Sequence, residues 1–418
     1  MKNKNIEDFY PLTPLQAGML FHTLAESEDG IYVEQFKCII SGEFNINAFK
    51  ESWHYVVRNH QILRSSFIYE NIKEPIQVVH RKVEICFNEI NLEDIDEKAK
   101  KLQVKKILNN EITEGFDFSK PPLMKFVIIK LSEDKIQFAW TYHHILLDGW
   151  SIPLIINEIF VNYNKLTSNK NIVLEKTKQF KDYIVWLKRQ DREKAERYWK
   201  EQLREFTNPT SLSFDIAQSS NKISIFDEKE IWVDKEKTSK ILAFCKSQGI
   251  TVNTIVQAAW AFLLGKYSGE NDVLFGSTVS GRSPNIDGVE NMVGMFINTL
   301  PVRVQLNPQS SVVEFLNKLQ KTQLALREFE YSSLIDIHRM SDIPADKTMF
   351  DSIVVFENYP IKSIQDNING KMSIEDADIL EKTNFPINLI AGLSDRLFLK
   401  LVYDVNRFSS EIIERMLN

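Results

Sequence analysis

The run KIQFAWTYHHILLDGWSIP, Lys135–Pro153, changes character twice. Up to His144 it is apolar and β-prone. With Leu123–Leu131 before it, across Ser132-Glu133-Asp134, it carries a hairpin signal. From Ser151 the period becomes helical: over Ile152–Leu166, residues Ile155, Ile156, Ile159, Phe160 and Tyr163 form one apolar stripe, and Ser151 and Pro153 suit a first turn. Strand, tight loop and helix therefore follow one another, with a histidine pair and an Asp-Gly at the turn. Such alternation predicts a mixed α/β architecture.

The same texture extends in both directions. Thr13 and Pro14 open a helix running to Leu24. Val33–Ser41 reads as a strand, with Val33, Gln35 and Lys37 alternating against Phe36 and Cys38. Asn47–Asn59 is a helix with Phe49, Trp53, Val56 and Val57 on one face, running into a short β-prone Leu63–Phe67. Leu92–Asn110 is a charged helix with Ile95, Ala99, Leu102 and Ile107 as its apolar face. Polar Ser168–Asn171 suggests a boundary; Phe180–Phe206 is mostly helical, and an Asn208–Asn221 loop follows. Thr251–Tyr267 and Ser409–Leu417 read as helices, and Asp272–Ser280, Phe296–Val304, Asp351–Glu357, Ile387–Leu393 and Leu397–Tyr403 as strands.

Composition narrows the class. The chain has 418 residues, 43% hydrophobic and 26% charged, which excludes a disordered protein. Single cores stop growing near about 250–300 residues, so two lobes are expected. The net charge of −6 gives no general attraction to nucleic acid or anionic lipid. The three cysteines, Cys38, Cys86 and Cys245, are scattered without a CxxC, as in a reducing cytosol. The longest apolar run, Ala258–Leu264, is far short of the ~20 residues of a membrane span, and the N-terminus has no secretory core. A cytoplasmic protein is expected. No GxGxxG or GxxxxGK[ST] string occurs.

The seven histidines include one adjacent pair, His143-His144. Strand neighbours face opposite sides, so the two cannot converge on one metal ion, and no metal site is expected. Two readings of the pair remain open on spacing alone. One has a working imidazole at His144, supported by His143, with Asp148 and Gly149 shaping the loop; an imidazole of near-neutral pKa can take a proton from an amine or a hydroxyl. The other has a core histidine beside an ordinary Asp-Gly turn. Gly149 would supply a backbone angle that few residues tolerate.

The string HHILLDGWS resembles the HHxxxDG signature of the condensation domains of nonribosomal peptide synthetases, within the chloramphenicol acetyltransferase-like acyltransferases. Further blocks match in order: YPLTPLQAGMLFH (Tyr10–His22), RNHQILRSSF (Arg58–Phe67), FKDYIVW (Phe180–Trp186), MVGMFINTLPVR (Met292–Arg303), EYSSLIDIHR and MFDSIVVFENYP. The resemblance covers nearly all of residues 10–418.

It implies two acetyltransferase-like lobes in a V-shaped pseudo-dimer with a central tunnel, residues 1–175 and 176–418, and a crossing loop near 292–303. It implies amide formation: the amine of a carrier-bound aminoacyl group attacks an upstream carrier-bound aminoacyl or peptidyl thioester. His144 matches the functional histidine and His143 the supporting one. Asp148 matches a structural aspartate, Arg64 the arginine that pairs with it, and Gly149 a backbone donor near the reacting carbonyl. Trp150, Ser280, Arg282 and Asn298 fall near the tunnel; each also has a structural reading, as packing, surface charge or loop cap. The domain would bind no cofactor itself. Substrates would arrive on the 4'-phosphopantetheine of donor and acceptor peptidyl carrier domains, alongside the adenylation domain of the same synthetase. DGWSIP differs from the DGVSWR-like continuation of epimerisation domains, and both histidines stand where heterocyclisation domains carry aspartates. An ester-forming or epimerisation-type relative and a non-catalytic carrier-docking module are the alternatives. The opening and the DGWS string lean towards elongation and an L-configured donor. With no adenylation or carrier segment of its own, the chain is expected to be either an excised piece or a free-standing partner.

Overall fold

The computed structural model describes residues 5–25, 30–172, 177–210, 212, 225–282, 286–357, 372–380 and 385–418. In chain order the elements are β1 (Ile6–Pro11), α1 (Pro14–Ala25), β2 (Val33–Gly42), α2 (Ile46–Asn59), β3 (Ser65–Ile68), β4 (Ile76–His80), β5 (Phe87–Asn91), α3 (Glu97–Thr113), β6 (Met124–Ser132), β7 (Lys135–His143), α4 (Ser151–Thr167), α5 (Phe180–Leu187) and α6 (Arg192–Leu203). They continue as β8 (Phe226–Trp232), α7 (Lys235–Gln248), α8 (Val252–Ser268), β9 (Asp272–Val279), β10 (Asn298–Gln305), α9 (Val312–Leu326), α10 (Leu334–Met340), β11 (Ser352–Glu357), β12 (Met372–Leu380), β13 (Ile387–Leu393), β14 (Leu397–Asp404) and α11 (Ser410–Leu417). The chain divides into two compact units: Met1–Arg189 with Asn285–Phe296 and Tyr359–Thr383, and Gln190–Pro284 with Ile297–Asn358 and Asn384–Asn418.

In the first unit, β12-β2-β7-β6-β5 form one sheet, antiparallel except at β5/β6, and β1-β4-β3 a smaller antiparallel one. The expected β6/β7 hairpin is present. Its residues are buried almost throughout β7, because helices cover the larger sheet on both faces. On one face, Trp53 of α2 meets Trp140 and Phe126 edge-on at centroid distances of 4.9 and 4.5 Å, and Phe49 meets Phe138 at 4.9 Å. Such pairs add about 0.5–1.5 kcal/mol each beyond area burial. On the other face, α3 lays Leu108 against Val127, Ile129 and Ala139.

Of the residues expected on the α3 face, Ile95 and Ile107 pack against this core, but Leu102 does not. Leu102 is 70% exposed, and Lys100, Leu108 and Ile112 are the buried residues. Lys100 buries its stem and carries its ammonium to Glu97 Oε1 (2.9 Å) and to the Leu131 carbonyl (2.8 Å). Leu63 lies not in a strand but in a 3-10 turn, Gln61–Arg64, that precedes β3.

The second unit is built on the sheet β10-β9-β11-β13-β14-β8, in which β11 runs parallel to both β9 and β13. Its core gathers Trp260, Phe275, Phe350 and Tyr403, and Trp260 donates its indole N–H to Ser352 Oγ at 3.2 Å. Gly276 of β9 is needed for that packing: a Cβ there would stand 2.4 Å from the Phe350 ring. The helical stretch after Phe180 is two helices, α5 and α6, and the loop expected at Asn208–Asn221 lies largely outside the described residues. No described helix is long and apolar enough to cross a membrane.

Candidate active site

The pleat of β7 sorts the histidine loop. Glu34 of β2 pairs in register with Tyr142, and Val33 with His143. Alternation puts Glu34, Tyr142 and, one step past the strand, His144 on one face, and His143 on the other.

His143 is wholly buried. Its Nδ1 accepts from the Ile145 backbone N–H (3.1 Å), its Nε2 lies 3.2 Å from Thr23 Oγ1, and Phe118 meets the ring edge-on at 4.8 Å. Burial, with the His144 ring adding to it, pushes its pKa down to about 3, so it is neutral at working pH. It is a strut rather than a proton carrier.

His144 is partly exposed, its side chain 16% accessible. Its Nδ1 lies 2.6 Å from the Leu147 carbonyl and 3.3 Å from Glu34 Oε1. The carbonyl can only accept, so Nδ1 carries the hydrogen and Nε2 the lone pair. A neutral imidazole in this tautomer is a base at Nε2.

The loop is held from three directions. From α1, Thr13 and Gln16 form a reciprocal cap (3.0 and 3.2 Å), and buried Gln16 donates through Nε2 to the Ile145 carbonyl at 3.0 Å. From α4, Ser151 donates to Asp148 Oδ1 through its backbone N–H (2.9 Å) and its hydroxyl (2.7 Å). From the 292–296 segment, the Phe296 N–H donates to Asp148 Oδ2 (3.1 Å), and the Gly294 carbonyl accepts from the Asp148 N–H (3.1 Å). Gly294 lies against the Phe180 ring, which a Cβ would meet at 2.3 Å.

Several expectations need correcting. Arg64 does not pair with Asp148. It is buried and donates to Glu7 Oε2 (2.7 Å), to the Val57 carbonyl (3.1 Å) and to the carbonyls of His80 and Arg81. It ties the end of α2 to β1 and β4, and the Asp148 carboxylate is served instead by the N–H and O–H groups named above. Gly149 is buried, and it is not among the residues with positive φ, so the turn there does not use a left-handed backbone angle.

Trp150 is partly exposed and donates to the Glu290 carbonyl at 3.2 Å. Asn298, at the start of β10, spends both amide hydrogens on the carbonyls of Glu330 (2.9 Å) and Ser332 (2.7 Å). Ser280 is exposed after β9 and Arg282 is buried, its N–H 3.3 Å from Ser280 Oγ. His143, His144, Asp148, Gly149, Trp150 and Arg64 belong to the first unit; Ser280, Arg282 and Asn298 belong to the second. Glu34, Gln16, Ser151 and Gly294 were not among the expected site residues. Glu34 carried a signal: a carboxylate between Val33 and Phe36 on a strand that is otherwise apolar on that face. Among the described residues no group of three or more His, Cys, Asp and Glu is placed to hold a metal ion.

A single basic imidazole braced by backbone and hydroxyl contacts on a mixed sheet is the arrangement of an acyl-transferring enzyme that manages one proton. The condensation-domain profile matches residues 6–418, and the chain belongs to that family, the condensation domains of nonribosomal peptide synthetases. Two large proteins of the linear gramicidin synthase of Brevibacillus parabrevis resemble it. One is 40% identical over 419 residues, covering 100% of this chain and 5% of that protein. The other is 38% identical over 425 residues, covering 100% of this chain and 8% of that one. With surfactin synthase subunit 3 of Bacillus subtilis (strain 168) the identity is 33% over 415 residues, 98% of this chain and 32% of that protein. The chain thus spans about 5–8% of the length of the two gramicidin synthase proteins.

Solved structures share the fold. A holo four-domain nonribosomal peptide synthetase with AMP and glycine gives a TM-score of 0.82 at 16% identity, over 100% of this chain and 33% of that one. The first condensation domain of the calcium-dependent antibiotic synthetase, solved with a substrate analogue, gives 0.78 at 14% identity, over 99% of this chain and 94% of that one.

Proposed function

We propose that the chain joins two carrier-bound substrates, the free amine of an acceptor aminoacyl group attacking the thioester carbonyl of a donor aminoacyl or peptidyl group. The observation that carries this reading is the commitment of His144 Nδ1 to the Leu147 carbonyl at 2.6 Å, which leaves the lone pair on Nε2. The amine nitrogen forms the new C–N bond, and the C–S bond breaks with its electron pair leaving on sulfur. The proton lost from nitrogen passes to Nε2 of His144 and from there to the thiolate or to solvent. A free α-amine has a pKa near ~8 and a thiol near ~8.5, so neither the nucleophile nor the leaving group asks for much assistance. Orientation of the two arms supplies most of what remains, about 7–11 kcal/mol in well-aligned systems.

In this reading the acetyltransferase-like lobes are residues 1–175 and 176–418, with the crossing loop near 292–303; the compact units divide after Arg189, and Asn285–Phe296 falls in the first of them. Trp150, Ser280 and Arg282 are read as substrate-contacting residues of their respective units, and Asn298 as a structural tie. The partners are donor and acceptor peptidyl carrier domains carrying 4'-phosphopantetheine, together with the adenylation domain of the synthetase. The donor is read as L-configured.

The test is reconstitution with two loaded carrier domains, reading condensed product by intact-protein mass. His144→Ala lowers amide formation at least tenfold with the fold retained. Unchanged turnover in that variant refutes the assignment of His144.

A further inference from the structure

The His144 edge that faces the protein meets a carboxyl that none of the motif blocks contains. Glu34 is 1% exposed, near the start of β2, on the same face as Tyr142 and His144. Its Oε1 is 3.3 Å from His144 Nδ1. A carboxyl buried this deeply is expensive to keep without a use, because its charged form loses hydration that a few contacts do not replace.

The distances assign two jobs to two acceptors. The Leu147 carbonyl, at 2.6 Å, takes the Nδ1 hydrogen and orients the ring. The Glu34 oxygen sits farther off, at 3.3 Å, where its influence is chiefly electrostatic. When Nε2 gains a proton the ring becomes a cation, and a backbone carbonyl answers that charge only with a dipole. A carboxylate answers it with a full charge, in a setting where water does little screening.

We propose that Glu34 is a positioning residue of the site, acting through His144: its carboxyl holds the Nδ1–H edge and offsets the charge the ring acquires when Nε2 takes the amine proton. This rests on the reading of His144 given above.

The groups that bear on Glu34 are few. Burial pushes its pKa up to about 8, the Tyr142 hydroxyl on β7 pulls against that rise, and the charge of Asp148 in the loop adds to it. His144 is the cationic partner when protonated, and His143 lies on the opposite face of β7. A carboxyl poised so close to working pH gains most from a neighbouring positive charge. With its pKa near 8 the carboxyl is ionised towards the upper end of the working range, and in that form it offsets the imidazolium with no further proton moved.

The test uses the protein with loaded donor and acceptor carrier domains and three variants, Glu34→Gln, Glu34→Asp and His144→Ala. Glu34→Gln keeps size and a hydrogen-bond acceptor and removes the charge. It is expected to lower kcat at least fivefold with KM for the acceptor carrier changed less than twofold, and to move the His144 ring titration, read from 15N-histidine spectra, to lower pH. Glu34→Asp restores part of both. The His144 signal is assigned by its loss in His144→Ala, and the wild-type spectrum itself is expected to show hydrogen on Nδ1. A wild-type ring protonated at Nε2 overturns the proposal even if Glu34→Gln does not fold. So does a folded Glu34→Gln with unchanged kcat and unchanged ring titration while His144→Ala is inactive. If His144→Ala is itself active, the assignment of His144 fails instead.

Discussion

Replacing Arg64 with alanine separates two accounts of a motif residue. If it braced the histidine loop through Asp148, its loss would strike catalysis. In the structure it braces the junction of α2, β1 and β4, so its loss should strike stability first. The guanidinium is 7% accessible. Its Nε–H serves the Val57 carbonyl at the end of α2, and Nη1 serves Glu7 and the carbonyls of His80 and Arg81. Truncation strands the Val57 carbonyl in the core, at about 1–3 kcal/mol. The loss of a charged donor to the β4 end adds about 1–2 kcal/mol, within the range for charge-assisted bonds. Glu7 is 30% accessible and regains water, so its pairing adds only about 0–1 kcal/mol. The expected total is about 2–6 kcal/mol. Arg64→Lys should recover about half, since an ammonium meets one of these acceptors and lacks the fork that meets several.

Urea unfolding followed by tryptophan fluorescence measures this, Trp53 and Trp140 reporting the first unit. The pH dependence provides a check of sign. Although burial pushes the Glu7 carboxyl up, hydrogen bonds from Arg64 and Gln61 prevail and hold it below its ordinary value. A depressed carboxylate stabilises fully above its unfolded pKa and loses that contribution as pH falls through the lower folded one. The gap between wild type and Arg64→Ala should therefore narrow as pH drops below about 4. A variant with an unchanged urea midpoint but abolished condensation refutes the reasoning and returns Arg64 to the catalytic loop.

Two further outcomes follow from the same contacts. Gly294→Ala drives a methyl to 2.3 Å from the Phe180 ring beside the segment that holds Asp148, and should cost about 1–3 kcal/mol while lowering amide formation; wild-type values for both would remove Gly294 from the account. His143 is held neutral, with its pKa near 3 against 6.5 in an open chain, so its contribution is complete above pH 6.5 and is lost as pH falls towards 3. By pH 5 the loss should reach about 2 kcal/mol, and His143→Gln should flatten that stretch of the stability profile; an equally steep profile in the variant would show that other groups cause it.

What was legible in the sequence, and what was not, divides along physical lines. Long periodic segments such as α4 and α8 and the β6/β7 hairpin were plain because burial imposes period and length together. The short strands β1, β4 and β5 were missed. They have few residues over which a pattern can build, and β1 and β5 are edge strands. On α3, Leu102 was placed on the buried face and Lys100 left off it because a lysine stem does apolar duty there, and letters do not distinguish Lys100 from its exposed neighbours. In β2 the alternation was read with the right parity, but the strand is covered on both sides, so Val33 through Phe36 are all buried and Glu34 escaped notice. The motif blocks drew attention to the histidine loop but not to its wiring. A motif records that Arg64 and Asp148 occur together, whereas pairing depends on which backbone carbonyls and N–H groups lie nearest, and only the folded chain decides that.

The wiring also explains why a signature with two histidines and an aspartate serves chemistry that uses one imidazole. Consecutive residues at a strand end point to opposite faces, so a strand that presents His144 on one side necessarily presents its predecessor to the other. That other side is packed with Phe118 and Thr23, and a neutral imidazole there fills volume while satisfying the Ile145 N–H and the Thr23 hydroxyl. An apolar replacement would leave the Ile145 N–H unmet, while the Thr23 hydroxyl would keep only its bond to the Met19 carbonyl (2.9 Å). Asp148 does a parallel job at the far end of the loop, accepting from α4 and from Phe296 and so fixing where the loop stops. Between a buried neutral ring and a buried carboxylate the backbone has little freedom left. The Leu147 carbonyl, which lies within that short span, is thereby set 2.6 Å from His144 Nδ1. The tautomer of His144 thus follows from His143 and Asp148, the two buried polar residues of the signature.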